Sequence, residues 1–280
     1  MIIESLKNAM VKPQNNLLLV TTLLKNVLQD YVLRFIYEDK EYKNLVFTGG
    51  TALKKIYGLP RFSEDLDFDC QRMIDAEVFS RNIERYFSEK LEYKEMTTKI
   101  SENKKSVFLK FPVMKEIGLA KNNADKQVLF LRCDFAEQYQ PSAVETVSLS
   151  VLDYVFFVRT YNLETLFTNK VDAFLERVYF KGKEQEIPFK GRDIFDIAWF
   201  CELSAKNGFS LKPNYERLYK KLGQSSPQGI FKDIVNKMEK ININEVEKDL
   251  SLFLENQNAA KIFSENFLDT IKSKGKYVFV

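Results

Sequence analysis

Histidine is absent from the 280-residue chain. That absence removes Ser-His-Asp and Cys-His catalysis, HExxH zinc sites and every histidine general base together. Cysteine is scarce: Cys70, Cys133 and Cys201 stand far apart, form no CxxC pair and are odd in number. A disulfide framework or a cysteine-rich zinc centre is therefore not expected, and a reducing cytoplasm is. No apolar run reaches the length of a bilayer, and MIIESLKNAMVKPQ at the N-terminus has no charged segment followed by a long apolar one. Neither a membrane span nor a signal peptide is expected. An excess of one charge is lacking as well, since the net charge is +3 and the pI about 8.5. Phosphate ligands are compatible with that balance but not implied by it.

What the chain does hold is core material: 45% of its residues are hydrophobic, with 24 Phe and 13 Tyr. Its length suits two domains of ordinary size. From Asn15 to Tyr37 apolar residues recur at helical spacing. Leu45 to Thr48 is a short apolar run stopped by Gly49 and Gly50, and TALKKIYG then reads as a short helix closed by Gly58 and Pro60. Asp65 to Asp69 alternates acid and apolar residues, the pattern of a half-buried strand. A helix follows from Met73 to Tyr93, then a hairpin turning at Glu102 to Lys105, a strand from Val128 to Phe135 and a β-rich segment from Glu145 to Arg159. From Leu163 onward only helical patterns are read. The expected fold is α+β, with a mixed sheet flanked by helices over residues 1–160 and a helical bundle over 161–280.

The chemistry gathers in VFTGGTALKKIYGLPRFSEDLDFDC, where Glu64, Asp65, Asp67 and Asp69 crowd into six residues. Residues two apart on a strand share a face, so Asp65, Asp67 and Asp69 converge while Leu66 and Phe68 point to the core. Carboxylates that close need a cation, and an oxygen-only cluster suits magnesium or manganese, commonly completed by substrate phosphates. Gly49 and Gly50 sit where a strand turns into a helix, which lets backbone approach an anionic ligand at the helix N-terminus. Thr51 reads either as a hydroxyl for that ligand or as the helix cap. Ser63 reads as a phosphate contact or a turn cap, and Arg61 as a phosphate contact or a salt-bridge partner of Glu64 or Asp69.

Gly49-Gly50-Thr51 followed by Arg61, Ser63 and Asp65-Leu66-Asp67-Phe68 resembles the signature of the DNA polymerase β-like nucleotidyltransferases. The form GGTxL…RxSxDLDF is similar, more narrowly, to the AbiEii/AbiGii toxin family. That resemblance implies a third acid on a neighbouring strand, for which Asp134 in VLFLRCDF is placed, and two later motifs to which NKVDAFLER and GRDIFDIAWF are similar. It assigns catalytic roles to Lys170 and Asp193, with Arg177 on the nucleotide. Lys170 and Arg177, seven apart, would share a helix face. Asp196 reads as a support for Asp193 or as a surface acid, and Asp69 as an acid beyond the two-acid motif.

The activity so implied is transfer of a nucleoside monophosphate from an NTP to an acceptor hydroxyl, with Asp65, Asp67 and Asp134 holding metal. Family relatives imply a tRNA 3′ end as acceptor and a cognate antitoxin as partner. The lysines and arginines of LKPNYERLYKKLG and of the last helical segment are candidates for RNA contact. Rival readings are nucleotidylation of a protein or small molecule, a metal-dependent glycosyltransferase using Asp-x-Asp, and a non-catalytic nucleotide-binding module.

Overall fold

The computed structural model describes residues 2–10, 17–120, 127–181, 185–208, 211–223 and 226–279. The start of the helix expected from Asn15 lies outside the described residues. The chain divides into two units: Met1–Gly58, Phe62–Gln138 and Glu145–Thr160 form the first, and Leu59–Arg61, Tyr139–Val144 and Tyr161–Val280 the second.

In the first unit seven strands make one mixed sheet: β1 (Val46–Thr48), β2 (Asp65–Cys70), β3 (Thr97–Ile100), β4 (Ser106–Phe111), β5 (Leu129–Glu137), β6 (Val144–Val151) and β7 (Tyr154–Tyr161), in the order β3-β4-β5-β2-β1-β7-β6. β2–β5 and β1–β7 are parallel pairs, whereas β1–β2, β3–β4 and β4–β5 are antiparallel. Alternation along β2 buries Leu66, Phe68 and Cys70. Phe47, Phe68 and Phe135 stack across β1, β2 and β5 with centroids 5.4 and 5.9 Å apart. Burying Leu66 and Phe68 supplies roughly 1.5–3 kcal/mol each, which anchors a strand whose other face carries mutually repelling acids.

Helix α1 (Ile2–Ala9) packs on α2 (Leu17–Glu38), which lies on β5; α3 (Gly49–Tyr57) follows β1 directly; and α4 (Ala76–Glu89) lies on β3 and β4. Leu24, Leu28, Tyr31, Val32, Phe35 and Ile36 of α2 are all buried at helical spacing. α4 is shorter than the expected Met73–Tyr93. Asp75 caps its start by accepting from the Glu77 and Val78 amides at 2.9 and 3.1 Å. Its end is closed where Glu92 takes a φ of 53° and the Tyr93 amide returns to the Phe87 carbonyl.

The second unit holds α5 (Leu163–Glu176), α6 (Gly191–Lys206), α7 (Tyr215–Leu222), α8 (Pro227–Met238), α9 (Ile243–Leu250), α10 (Gln257–Thr270), a π turn (Ile271–Gly275) and α11 (Lys276–Val278). Phe167 and Phe200 stack at 4.4 Å in its core, with Phe279 edge-on to Phe167. The expectation that strands end by Arg159 is corrected here, because β8 (Tyr179–Lys181) and β9 (Gln185–Ile187) pair as a short hairpin. Three residues are too few to show a period-2 pattern. Together the units make an α+β protein whose mixed sheet is flanked by helices.

Candidate active site

Asp65, Asp67 and Asp69 lie half-buried along one face of β2. β5 alternates in step, burying Leu131, Cys133 and Phe135 and leaving Arg132 and Asp134 on the acid face. The parallel register sets Asp65 beside Arg132 and Asp67 beside Asp134. Adjacent strands lie ~4.8 Å apart, so two carboxylates stand as neighbours on adjacent strands. Their field reaches the opposite face: the Cys133 thiol is pushed well up, first by burial and then by Asp134, Asp65 and Asp67.

Asp134 already has partners. Its Oδ1 accepts from Ser106 Oγ at 2.5 Å and from Arg132 Nε at 2.7 Å, and Arg132 Nη2 also donates to Ser106 Oγ at 3.3 Å. Among the described residues no three His, Cys, Asp or Glu side chains close on a single point as metal ligands. The oxygen donors of Asp65, Asp67 and Asp134 nevertheless suit a hard cation, provided Asp134 exchanges Arg132 for it. The same alternation that exposed Asp134 puts Arg132 on its face two residues earlier, and Arg132 escaped the sequence reading for want of a motif.

β1 and the helix after it close the other side. Thr48 pairs with Asp67 across β1–β2, and Gly49 has a φ of +76°. A Cβ on Gly49 would fall 2.0 Å from Asp67 Oδ2, so the glycine leaves room for the acid itself. Gly50 and Thr51 are buried in the first turn of α3. Thr51 is neither the helix cap, which is Thr48, nor an exposed hydroxyl: its Oγ1 donates to the Asp65 carbonyl at 2.5 Å and ties α3 to the acid strand. Lys55 anchors the far half of α3 on α2 through Asp30 at 2.5 Å. Ser63 is buried, and its carbonyl accepts from Gln29 Nε2 at 3.0 Å.

Within the second unit Arg61 meets Asp196. Nε and Nη2 of its guanidinium both donate to the carboxylate at 2.6 Å, the two-pronged geometry that makes Arg–carboxylate pairs strong. Lys170 Nζ joins the same carboxylate at 2.8 Å. Asp196 is fully buried, which corrects the surface reading; burial pushes its carboxyl up, but Arg61 and then Lys170 outweigh burial and hold it below the ordinary range. Burial likewise works against the Arg61 charge, and Asp196 holds it on.

Asp193 pairs with Arg177 at 2.5 Å and not with Lys170. The shared-face expectation for Lys170 and Arg177 fails because α5 ends at Glu176. Arg177 is extended, at φ −66° and ψ 123°, while Lys237 caps the Phe174 and Leu175 carbonyls at 2.7 and 2.8 Å. Two more cations stand at the start of α6. Lys190 is pushed down by burial and then by the neighbouring charges of Arg192 and Arg177. Arg192 lies over Phe253 at 4.1 Å, its Nε 3.9 Å from Asp249 and buried without a hydrogen-bond partner. Arg61, Lys170, Arg177, Lys190 and Arg192 thus gather around Asp193, Asp196 and Asp249 within the second unit.

A cavity of about 640 Å³ in the first unit is lined by Arg34, Phe35, Asn82, Tyr86 and Tyr154 among others, and none of the candidate site residues borders it. The three cysteines are free and buried. Among the described residues no helix is long and apolar enough to cross a membrane.

An acid-bearing strand in a mixed sheet, closed by a glycine turn that opens a helix, is the framework of a nucleotidyltransferase. The chain belongs to the nucleotidyl transferase AbiEii toxin family of type IV toxin–antitoxin systems, whose family model matches residues 32–272. Membership makes it a transferase and the toxin member of a system with an antitoxin partner, and it sets aside the glycosyltransferase and non-catalytic readings. Among solved structures, a candidate nucleotidyltransferase from H. pylori is similar over 88% of this chain and 96% of its own, at 17% identity and a TM-score of 0.44. JHP933 from Helicobacter pylori is similar over 90% and 95%, at 19% identity and a TM-score of 0.45. No curated protein matches the chain.

Proposed function

We propose that this enzyme transfers a nucleoside monophosphate from an NTP to a hydroxyl at the 3′ end of an RNA, with tRNA as the expected acceptor and magnesium or manganese as the cation. The observation that carries the reading is the neighbouring of Asp67 and Asp134 across β2–β5, with Asp67 resting against the Gly49 turn.

In the reaction the acceptor oxygen bonds to the α-phosphorus, the bond from that phosphorus to the α–β bridging oxygen breaks, pyrophosphate departs with the electron pair, and the hydroxyl proton passes to solvent. Asp65 and Asp67, with Asp134, would hold a divalent cation, which when bound would neutralise charge on the triphosphate and acidify the attacking hydroxyl. The Gly49–Gly50 turn lets the phosphates approach backbone amides at the start of α3, and Thr51 ties that helix to the acid strand through the Asp65 carbonyl. The family resemblance assigns Lys170 to the charge on the leaving pyrophosphate. Arg61 acts through the shared Asp196 as a positioning residue for Lys170, and Arg177 does the same for Asp193.

The test is α-phosphate-labelled NTP incubated with RNA and with protein from the same cells. Label should appear on RNA and fall by at least ~10³-fold in Asp67→Asn, the several kcal/mol a metal-held carboxylate contributes to the transition state. The melting temperature of the variant, measured alongside, separates loss of transfer from loss of fold. Label on protein alone, or undiminished transfer by Asp67→Asn, overturns the reading.

A further inference from the structure

We infer that the acceptor enters as a single-stranded polynucleotide end laid across β5, β4 and β3, with its bases on Phe108 and Phe130 and its phosphates on Lys99, Lys110 and Arg132. The inference rests on the nucleotidyl-transfer reading above and specifies where the acceptor of that reaction is held.

Direction follows from the sheet order. On one side of the acids, β1 brings Gly49 against Asp67; on the other, Asp134 is followed by β4 and then β3. If the triphosphate takes the glycine side, in-line attack requires the hydroxyl to arrive from the opposite side, over β5 and β4. Register fixes what that surface offers. Asp134 pairs with Ser106; the next rung on the same face is Arg132, Phe108 and Lys99; the one beyond is Phe130, Lys110 and Thr97. From Asp134 to Phe130 the rungs span ~13 Å at 3.3 Å per residue.

The chemistry along that span alternates rings and cations. Phe130 is 49% exposed in a strand hydrogen-bonded on both edges. Phe108 and Lys110 are half-exposed and Lys99 is exposed. The Arg132 guanidinium lies 5.7 Å over the Phe108 ring and 2.7 Å from Asp134, linking the strip to the acids. Aromatic rings standing out of a sheet stack unpaired bases, and cations between them follow the backbone phosphates. Each stripped base presents a π-face, whereas a duplex presents none to a sheet, so the occupant is single-stranded. In the second unit Lys221 pairs with Asp172, Lys272 with Glu239 at 2.7 Å and Lys274 with Glu202 at 2.6 Å.

The test is binding of a fluorescein-labelled single-stranded RNA with a free 3′ end, followed by anisotropy in EDTA so that no turnover contributes. Phe130→Ala should weaken binding by roughly tenfold or more, and Phe130→Trp should restore it. Lys99→Gln with Lys110→Gln should weaken it and flatten the log–log salt dependence by about 1.4, the share of two phosphate contacts on a single strand. Lys272→Gln should bind like wild type, and Asp67→Asn should bind RNA while failing to transfer. Wild-type affinity and acceptor KM in folded Phe130→Ala and Lys99→Gln/Lys110→Gln overturn the strip and leave nucleotidyl transfer standing. Loss of RNA affinity in those variants, with no NTP giving label on RNA, keeps the strip and removes the reaction. No RNA affinity in wild type, with label on a protein, removes both.

Discussion

At the scale of single residues, the most demanding position is Gly49. The Gly-Gly pair reads from sequence as a place where backbone meets a ligand, yet the nearest neighbour of a Cβ there is the enzyme's own Asp67, at 2.0 Å to Oδ2 and 2.8 Å to Cγ. An alanine would meet two costs at once, the left-handed backbone at φ +76° and the displacement of a carboxylate. Gly58 separates them, since its φ is +75° and nothing lies within 4 Å of its absent Cβ. Gly49→Ala and Gly58→Ala should each lose about 1–3 kcal/mol from backbone strain, measured by chemical denaturation. Only Gly49→Ala should also lose nucleotidyl transfer, by on the order of 10²-fold, as expected when a positioned group is moved by about an ångström. Equal transfer by the two variants would mean that Asp67 leaves the glycine before reaction.

At the scale of elements, the alternating β2 and β5 were legible because one face of each packs on the core, and a period of two on a half-buried strand assigns every acid to its side. The pairing of β2 with β5 brings Asp134 beside Asp67 from 67 positions away, a relation no local pattern carries; only the family resemblance pointed to it. The burial of Asp196 is hidden from the sequence for a related reason. An acid in the first turns of a helix is commonly solvated, and nothing local reveals that Arg61 and Lys170 meet it in the interior. Its removal should be severe: Asp196→Asn leaves two cations short of their counter-charge in the core, a loss on the order of 3–5 kcal/mol. The pH dependence has a definite sign. The folded carboxyl is held below its ordinary 3.8, so its stabilisation is fully present above that value and lost as pH falls through the folded one. The difference in melting temperature between wild type and Asp196→Asn should therefore stay level from about pH 8 to 5 and close below 3.8. A gap unchanged at low pH would assign the loss to packing and not to charge.

At the scale of the whole molecule, the shift from strands to helices near Thr160 is plain in the sequence, because hydrophobic period changes there from two to helical spacing. Less legible is the interleaving, in which Leu59–Arg61 and Tyr139–Val144 belong to the second unit. These segments carry interactions that the second unit needs. Arg61 neutralises Asp196. Arg217, among the largest fully buried side chains, donates to the carbonyls of Tyr139 and Pro141 as well as to Asn169 at 2.9 Å. The Asn162 amide reaches the Ala143 carbonyl at 3.0 Å. A fragment 161–280 would lose about 3–5 kcal/mol at Asp196 and about 1–3 kcal/mol at Arg217, whose guanidinium would be left short of acceptors. Those losses rival the ~5–15 kcal/mol that holds a typical domain together. A fragment 1–160, by contrast, keeps every segment of the first unit. Expressed separately, 1–160 should melt cooperatively with a β-rich circular dichroism spectrum, 161–280 should show no cooperative transition, and 139–280 should recover part of one because it restores the partners of Arg217 but not Arg61. Cooperative melting of 161–280 at the temperature of the intact chain would show that the borrowed segments contribute nothing to its stability.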